Sequence, residues 1–97
     1  MTKEEMVAKI SKHSGIRQLY VSTVIEYLTE YITDELAAGN KVQFMGFGTF
    51  EPKERAARMG RNPHANQPVP IPAKIVPSFK AGNKLKAAVE KTLTEGD

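Results

Sequence analysis

The spacing of apolar residues changes near the middle of the chain. Up to about residue 37, apolar side chains recur every three or four positions, which is the spacing of one helix face. After Gly39-Asn40, polar and apolar residues alternate through residues 41–51, as they do in a half-buried strand. Helical spacing returns after Gly82-Asn83. The pattern predicts an α+β fold with two helices, a small antiparallel sheet and a final helix.

Two helices are predicted within the first forty residues. Thr2 and Glu5 form a capping box at the start of the first helix, and Ser14-Gly15 ends it. The second helix ends at Gly39-Asn40, whereas no residue clearly caps its start. Its predicted apolar stripe consists of Val21, Val24, Ile25, Leu28, Ile32 and Leu36. Three tyrosines lie beside this stripe, and we interpret them as packing or interface residues: Tyr20, Tyr27 and Tyr31.

Residues 52–76 combine basic residues with an unusual number of prolines. By propensity alone, residues 54–59 favour a helix, but Gly60 and Pro63 would interrupt it. Three later prolines share one parity, so in a strand they remove N–H donors from one edge only: Pro68, Pro70 and Pro72. We therefore predict a two-stranded arm over residues 52–76, with its tip near residues 62–67.

The composition limits the chemistry that the chain supports. Its 97 residues include no cysteine and two histidines, so we expect no disulfide, no metal site and no cofactor. The serines, histidines and carboxylates form no recognisable nucleophile–base set, so we expect no catalytic residue and no enzyme. No apolar run is long enough to cross a membrane, and the polar N-terminus lacks a secretory signal. We expect a cytoplasmic protein without a membrane partner.

The net charge of +3 is unevenly placed along the chain. Residues 1–40 carry four basic and six acidic side chains, net −2, whereas residues 41–80 carry seven basic and two acidic ones, net +5. Residues 81–97 are neutral, with three of each. A basic middle segment indicates either a polyanionic partner such as a nucleic acid or a merely solvated run of charge.

The apolar residues are more numerous than the core of so short a chain requires. We therefore expect two copies to share a core as a homodimer. Its predicted members include four aromatic residues and one leucine: Phe44, Phe47, Phe50, Phe79 and Leu36.

Several motifs resemble those of the bacterial HU/IHF family of DNA-bending proteins. They begin with Gly46-Phe47-Gly48-Thr49-Phe50 and continue through Glu54-Arg55-Ala56-Ala57-Arg58, Gly60-Arg61-Asn62-Pro63, Ile71-Pro72-Ala73, Val76-Pro77-Ser78-Phe79-Lys80 and Leu85-Lys86. The resemblance covers residues 1–90. It implies an intertwined homodimer with a helical base, a short antiparallel sheet saddle and two protruding β-arms that enter the minor groove of DNA.

The resemblance also implies which residues contact DNA. Pro63 at the arm tip is the implied wedge between base pairs, and the implied arm contacts are Arg55, Arg58, Arg61 and Asn62. In an extended arm, Arg55 and Arg61 share parity and Arg58 faces the other way. We expect further phosphate contacts from six lysines: Lys3, Lys53, Lys74, Lys80, Lys84 and Lys86.

The function expected from these residues is that of a histone-like architectural protein. It would bend, wrap and stabilise double-stranded DNA in the bacterial nucleoid with low sequence specificity. Residues 1–93 would form one domain and residues 94–97 a frayed tail. The alternatives are a sequence-preferring IHF-like subunit, or an RNA-binding or protein-interaction module that uses the same basic ribbon.

Overall fold

The computed structural model describes residues 1–62 and 67–91. The chain divides into two compact units, Met1–Asp34 and Glu35–Asp97. The predicted arm tip lies mostly outside the described residues, as does the predicted frayed tail. No helix in the described ranges is long and apolar enough to cross a membrane.

Two helices, α1 (Lys3–Ser14) and α2 (Gln18–Ala37), occupy the first part of the chain. The Thr2 hydroxyl accepts a hydrogen bond from the Glu5 amide at 3.2 Å, as a capping box requires. Gly15 ends α1 with a φ of 79°, and its amide donates to the Ser11 carbonyl at 2.9 Å. Both predicted boundaries of the first helix are therefore confirmed.

A three-stranded antiparallel sheet follows, in the order β1-β2-β5. Its strands are β1 (Val42–Phe44), β2 (Gly48–Arg55) and β5 (Lys74–Ala81). A tight turn joins β1 to β2, in which Gly46 has a φ of 83° and the Phe47 amide donates to the Phe44 carbonyl at 2.9 Å. The change from helical to alternating spacing predicted this sheet, and the prediction is confirmed.

A separate two-stranded ribbon consists of β3 (Arg58–Asn62) and β4 (Gln67–Ile71). Residues 54–59 are extended or irregular, so the helix that propensity favours does not form. Pro70 lies opposite Met59 and Pro68 lies opposite Arg61. Since proline has no N–H group, these pairs lie between the ladder hydrogen bonds, and the outer edge of β4 lacks donors at both positions.

The last described helix, α3 (Asn83–Val89), begins against the β1–β2 turn. The Gly46 carbonyl accepts hydrogen bonds from the Lys84 and Leu85 amides at 3.1 and 3.3 Å. A Cβ atom on Gly82 would lie 2.7 Å from that carbonyl oxygen, so only glycine allows this approach. The turn therefore fixes where α3 starts.

One copy of the chain buries few large side chains. Among the described residues, Val7 and Val21 are the buried hydrophobic residues, each 6% exposed. Two members of the predicted apolar stripe of α2 are exposed in a single chain, so their prediction as inward-facing residues is wrong there. Val24 is 65% and Leu28 42% exposed, because only the side of α2 that carries Val21 is covered within one copy.

Candidate nucleic-acid interface

The pairing of β2 with β5 separates basic from apolar side chains. Neighbouring residues of a strand point to opposite faces, and residues paired across an antiparallel ladder share a face. Thr49 pairs with Lys80, Lys53 with Val76 and Arg55 with Lys74. One face of the sheet therefore carries four cationic side chains, which we call the basic face: Lys53, Arg55, Lys74 and Lys80.

The cations of the basic face are exposed and form no ion pair with another described residue. Glu51 also lies on this face, but its carboxylate pairs with the Lys41 ammonium at 3.4 Å. Because Glu51 neutralises its charge, Lys41 adds less to the electrostatic potential of the basic face than the four unpaired cations do. Sequence counting alone does not reveal this neutralisation.

The opposite face of the same sheet is mostly apolar, with Glu54 at its end, opposite Ile75. Phe50 pairs with Phe79 and Pro52 with Pro77, so these side chains share one surface with Ile75. The Phe50 and Phe79 ring centroids lie 4.8 Å apart. This arrangement confirms the prediction that Ile75, Pro77 and Phe79 share a face.

The predicted shared-core residues lie on or beside this apolar face. The Phe44 ring meets that of Phe50 edge-on at 6.4 Å, and the Phe47 ring lies 5.5 Å from that of Phe79. Leu36 lines a shallow depression with Pro52. Phe47 is 49% exposed, and Phe44 and Phe79 are exposed too. One copy therefore clusters these rings without covering them.

The basic face continues into a groove at the junction between the sheet and the ribbon. Arg55, Arg58 and Lys74 line this groove together with the Pro72 ring. The sequence places Arg55 and Lys74 nineteen positions apart, and only the register of β2 with β5 brings them opposite each other. We call this groove the junction groove.

The ribbon presents its two described arginines on opposite faces. Arg58 lies on the same face as Gly60 and Ile71, whereas Arg61 lies on the other face with Pro68. A Cβ atom on Gly60 would lie 2.5 Å from Ile71 Cδ1, so the isoleucine side chain covers the glycine. The predicted opposition of Arg58 and Arg61 is confirmed, whereas the predicted opposition of Arg55 and Arg58 is wrong. Residues 56–57 interrupt the alternation between β2 and β3, and Arg55 and Arg58 line the same groove. Asn62 ends β3, and Pro63 lies outside the described residues.

The remaining predicted contacts lie on the helices. Lys84 and Lys86 are exposed on α3, and the Lys84 stem passes over Gly46. The Lys3 ammonium donates a 2.9 Å hydrogen bond to the Glu26 carboxylate. This hydrogen bond and the charge of Lys3 lower the pKa of Glu26. Lys3 therefore already has a carboxylate partner.

The sequence of the chain matches a known protein family over almost its whole length. Residues 1–90 match the family described as Bacterial DNA-binding protein. The chain belongs to that family. The match confirms the resemblance to HU and IHF that the motifs indicated.

Individual members of this family are similar to the chain over more than nine-tenths of its length. DNA-binding protein HU of Thermotoga maritima is 42% identical over 90 residues, which cover 93% of this chain and all of the relative. DNA-binding protein HU of Lactococcus lactis is 43% identical over 88 residues, which cover 91% and 97% of the two chains. Because these relatives are named HU, they do not favour the IHF-like alternative.

Solved structures of HU are similar to this chain. The Anabaena HU–DNA cocrystal structure matches with a TM-score of 0.87 and 37% identity, covering 92% of this chain and 97% of that one. HU from Thermotoga maritima matches with a TM-score of 0.67 and 31% identity, covering 93% and 100%. These solved structures therefore confirm the predicted α+β fold, and they agree with the family match.

Proposed function

We propose that this protein is a histone-like architectural protein that binds and bends double-stranded DNA as a homodimer in the bacterial nucleoid, within the cytoplasm. Its role is stoichiometric and non-catalytic. The observation that carries the proposal is the basic face and its continuation into the junction groove. The named HU relatives and the HU–DNA cocrystal structure support the same conclusion.

The basic face suits a phosphate backbone because its cations are fixed by strand pairing. Lys53 and Arg55 follow each other at alternate positions of β2, roughly 7 Å apart along the strand. Consecutive phosphates of one DNA strand are separated by a similar distance. Arginine adds a planar, permanently charged fork that grips phosphate oxygens in pairs. These contacts position DNA without reading its sequence.

The ribbon suits a groove because it is narrow and charged on both faces. Arg58 and Arg61 point in opposite directions, so one arginine can face the groove floor while the other reaches a phosphate. The prolines of β4 leave its outer edge without amides at two positions, which prevents another strand from pairing there. Pro63 would provide the wedge that the family resemblance implies.

The apolar face of the sheet suits a second copy of the chain. Its aromatic residues cluster around Phe50 and Phe79 but remain substantially exposed in one copy. Covering such a surface stabilises association by about 25 cal/mol for each Å² of apolar area removed from water. The basic face lies on the reverse of the same sheet, so dimerisation leaves it open to DNA.

We propose distinct roles for the remaining site residues. Lys53, Arg55, Lys74 and Lys80 contact phosphates from the sheet, and Lys84 and Lys86 extend this contact from α3. Lys3 joins them only by exchanging its Glu26 partner for a phosphate, so we assign it the smallest contribution. Asn62 contacts DNA next to Pro63, the residue that would act as the wedge.

A bending assay tests this function. Duplexes that are linear, nicked or kinked, labelled at both ends for energy transfer, are titrated with protein at fixed salt. We expect end-to-end distances to shorten on binding, with tighter binding of the nicked and kinked forms. Pro63→Ala is expected to reduce the bend more than the affinity, and Arg55→Gln to reduce the affinity.

Lys9→Gln on α1 is the matched control, because Lys9 is an exposed cation outside the proposed interface. Its binding curve should superimpose on that of the wild type. Unchanged end-to-end distances at saturation would refute the bending role. Preferential binding of single-stranded RNA in competition would instead favour the RNA-binding alternative.

A further inference from the structure

The ribbon carries an exposed methionine on the same face as one of its arginines. Met59 pairs with Pro70 and Arg61 pairs with Pro68, so these four side chains share one face of the ribbon, which we call the Met59 face. Met59 is 64% exposed, and both prolines are exposed as well. The Met59 face therefore combines a flexible thioether, two rigid rings and one cation.

The junction groove indicates which face of the ribbon reaches a phosphate. Arg58 lies on the opposite face of the ribbon and lines that groove with Arg55 and Lys74. Three cations gathered at one groove suit the phosphate backbone. Arg61 is then the arginine that faces the floor of the minor groove. Met59 lies two positions from Arg61 on the same face, about 7 Å along the strand, and faces the same groove.

The chemistry of the minor groove suits a thioether. Deoxyribose rings form the walls of this groove, and the floor presents mainly hydrogen-bond acceptors of the bases. The sulfur of Met59 is at most a weak acceptor, and its unbranched side chain adapts to an irregular apolar surface. Such a side chain loses little when it leaves water. The Met59 face is therefore complementary to the sugar walls.

Oxidation of the sulfur reverses this complementarity. Hydrogen peroxide converts a methionine thioether to a sulfoxide. The sulfur donates an electron pair to one peroxide oxygen, the O–O bond breaks as the S–O bond forms, and the other oxygen leaves as water. The sulfoxide oxygen is a polar acceptor, and the groove offers it acceptors rather than donors. It would leave water without gaining a partner, which opposes binding.

We propose that Met59 contacts the sugar walls of the minor groove and is a site of oxidation by peroxide, and that its sulfoxide weakens the binding of DNA. The inference rests on the proposed function and adds a regulation of the same interface. The exposure of Met59 in the DNA-free protein gives the oxidant access to the sulfur. Bound DNA covers the side chain and protects it.

A protection experiment tests the groove contact. The chain contains four methionines: Met1, Met6, Met45 and Met59. Cleavage after Glu54 and Glu90 releases residues 55–90, in which Met59 is the only methionine. The full chain is treated with hydrogen peroxide with and without a saturating linear duplex, and the mass of this peptide gives the oxidised fraction. We expect DNA to slow the oxidation of Met59 several-fold, and an unchanged rate would overturn the contact.

A binding experiment tests the effect of the sulfoxide. Oxidised wild-type protein should bind the duplex about tenfold more weakly at fixed salt, because a polar group is desolvated without a partner. The slope of log K against log salt should stay unchanged, since the sulfoxide carries no charge. Met59→Gln places a neutral polar amide at the same position and should weaken binding to a similar extent.

Met59→Leu is the matched control, because leucine keeps an apolar side chain of similar volume and has no sulfur. This variant should bind like unoxidised wild type both before and after peroxide treatment. An equal loss of affinity in oxidised Met59→Leu would assign the effect to another methionine and overturn the proposal, as would a changed salt slope. If unoxidised wild type does not bind the duplex, the proposed function itself fails. Binding that oxidation leaves unchanged refutes the role of Met59 alone.

Discussion

The salt dependence of DNA binding follows from the cations of the basic face. Two copies present eight such side chains, since each copy contributes Lys53, Arg55, Lys74 and Lys80. Each neutralised phosphate releases about 0.9 counterion, so these eight side chains should contribute about −7 to the slope of log K against log salt, and the contacts proposed for Lys84, Lys86 and an arm arginine should make it steeper. Between 50 and 200 mM salt, affinity should therefore fall by at least about 10⁴-fold.

A single substitution makes this reasoning testable. Arg55→Gln removes two contacts from a homodimer, so the slope should become shallower by about 1.8 and the affinity at low salt should fall. Fluorescence anisotropy with a labelled linear duplex at six salt concentrations measures both quantities. Lys9→Gln should leave the slope unchanged. An Arg55→Gln slope equal to that of the wild type would show that this residue contacts no phosphate, and a flat wild-type response would refute the interface.

Three further predictions concern stability and assembly. Gly48→Ala places a Cβ atom 2.5 Å from the Phe79 ring, so we expect a loss of about 1–3 kcal/mol in urea unfolding, and an unchanged midpoint would contradict this packing. Phe47→Asp should abolish both the dimer in analytical ultracentrifugation and the cooperative thermal melt, whereas Phe47→Leu should retain both, and a soluble, folded Phe47→Asp monomer would show that the core is not shared. Lys3→Gln should raise the pKa of Glu26 towards its ordinary value in a carboxyl NMR titration. Because the ion pair depresses that pKa, its stabilisation is present above the unfolded pKa and is lost as pH falls through the folded one. An unshifted Glu26 pKa would mean that the pair does not persist in solution.

Local sequence signals predicted several elements correctly because their causes are local. The Thr2 cap and the Gly15 terminator act within one helical turn, so they can be recognised without tertiary information. The alternation after residue 41 similarly predicted strands. Propensity misassigned residues 54–59 because the pairing of β2 with β5 and of β3 with β4 outweighs a small intrinsic preference.

The periodicity of apolar residues does not by itself show which of them a single chain buries. Val24 belongs to an apolar run with helical spacing, yet it lies on the exposed side of α2 beside Tyr27. Two adjacent apolar stripes merge in a one-dimensional pattern, and only the packing of the helix shows which stripe the chain itself covers.

By itself, the sequence determined the fold class, the family and the basic character of residues 41–80, because these depend on periodicity, motifs and charge counts. Only the tertiary structure decided that Lys53, Arg55, Lys74 and Lys80 share a face, and that Glu51 neutralises Lys41 there. The physical reason is register: which side chains meet across a sheet depends on the long-range pairing of strands, and a shift of one residue would turn every side chain to the other face.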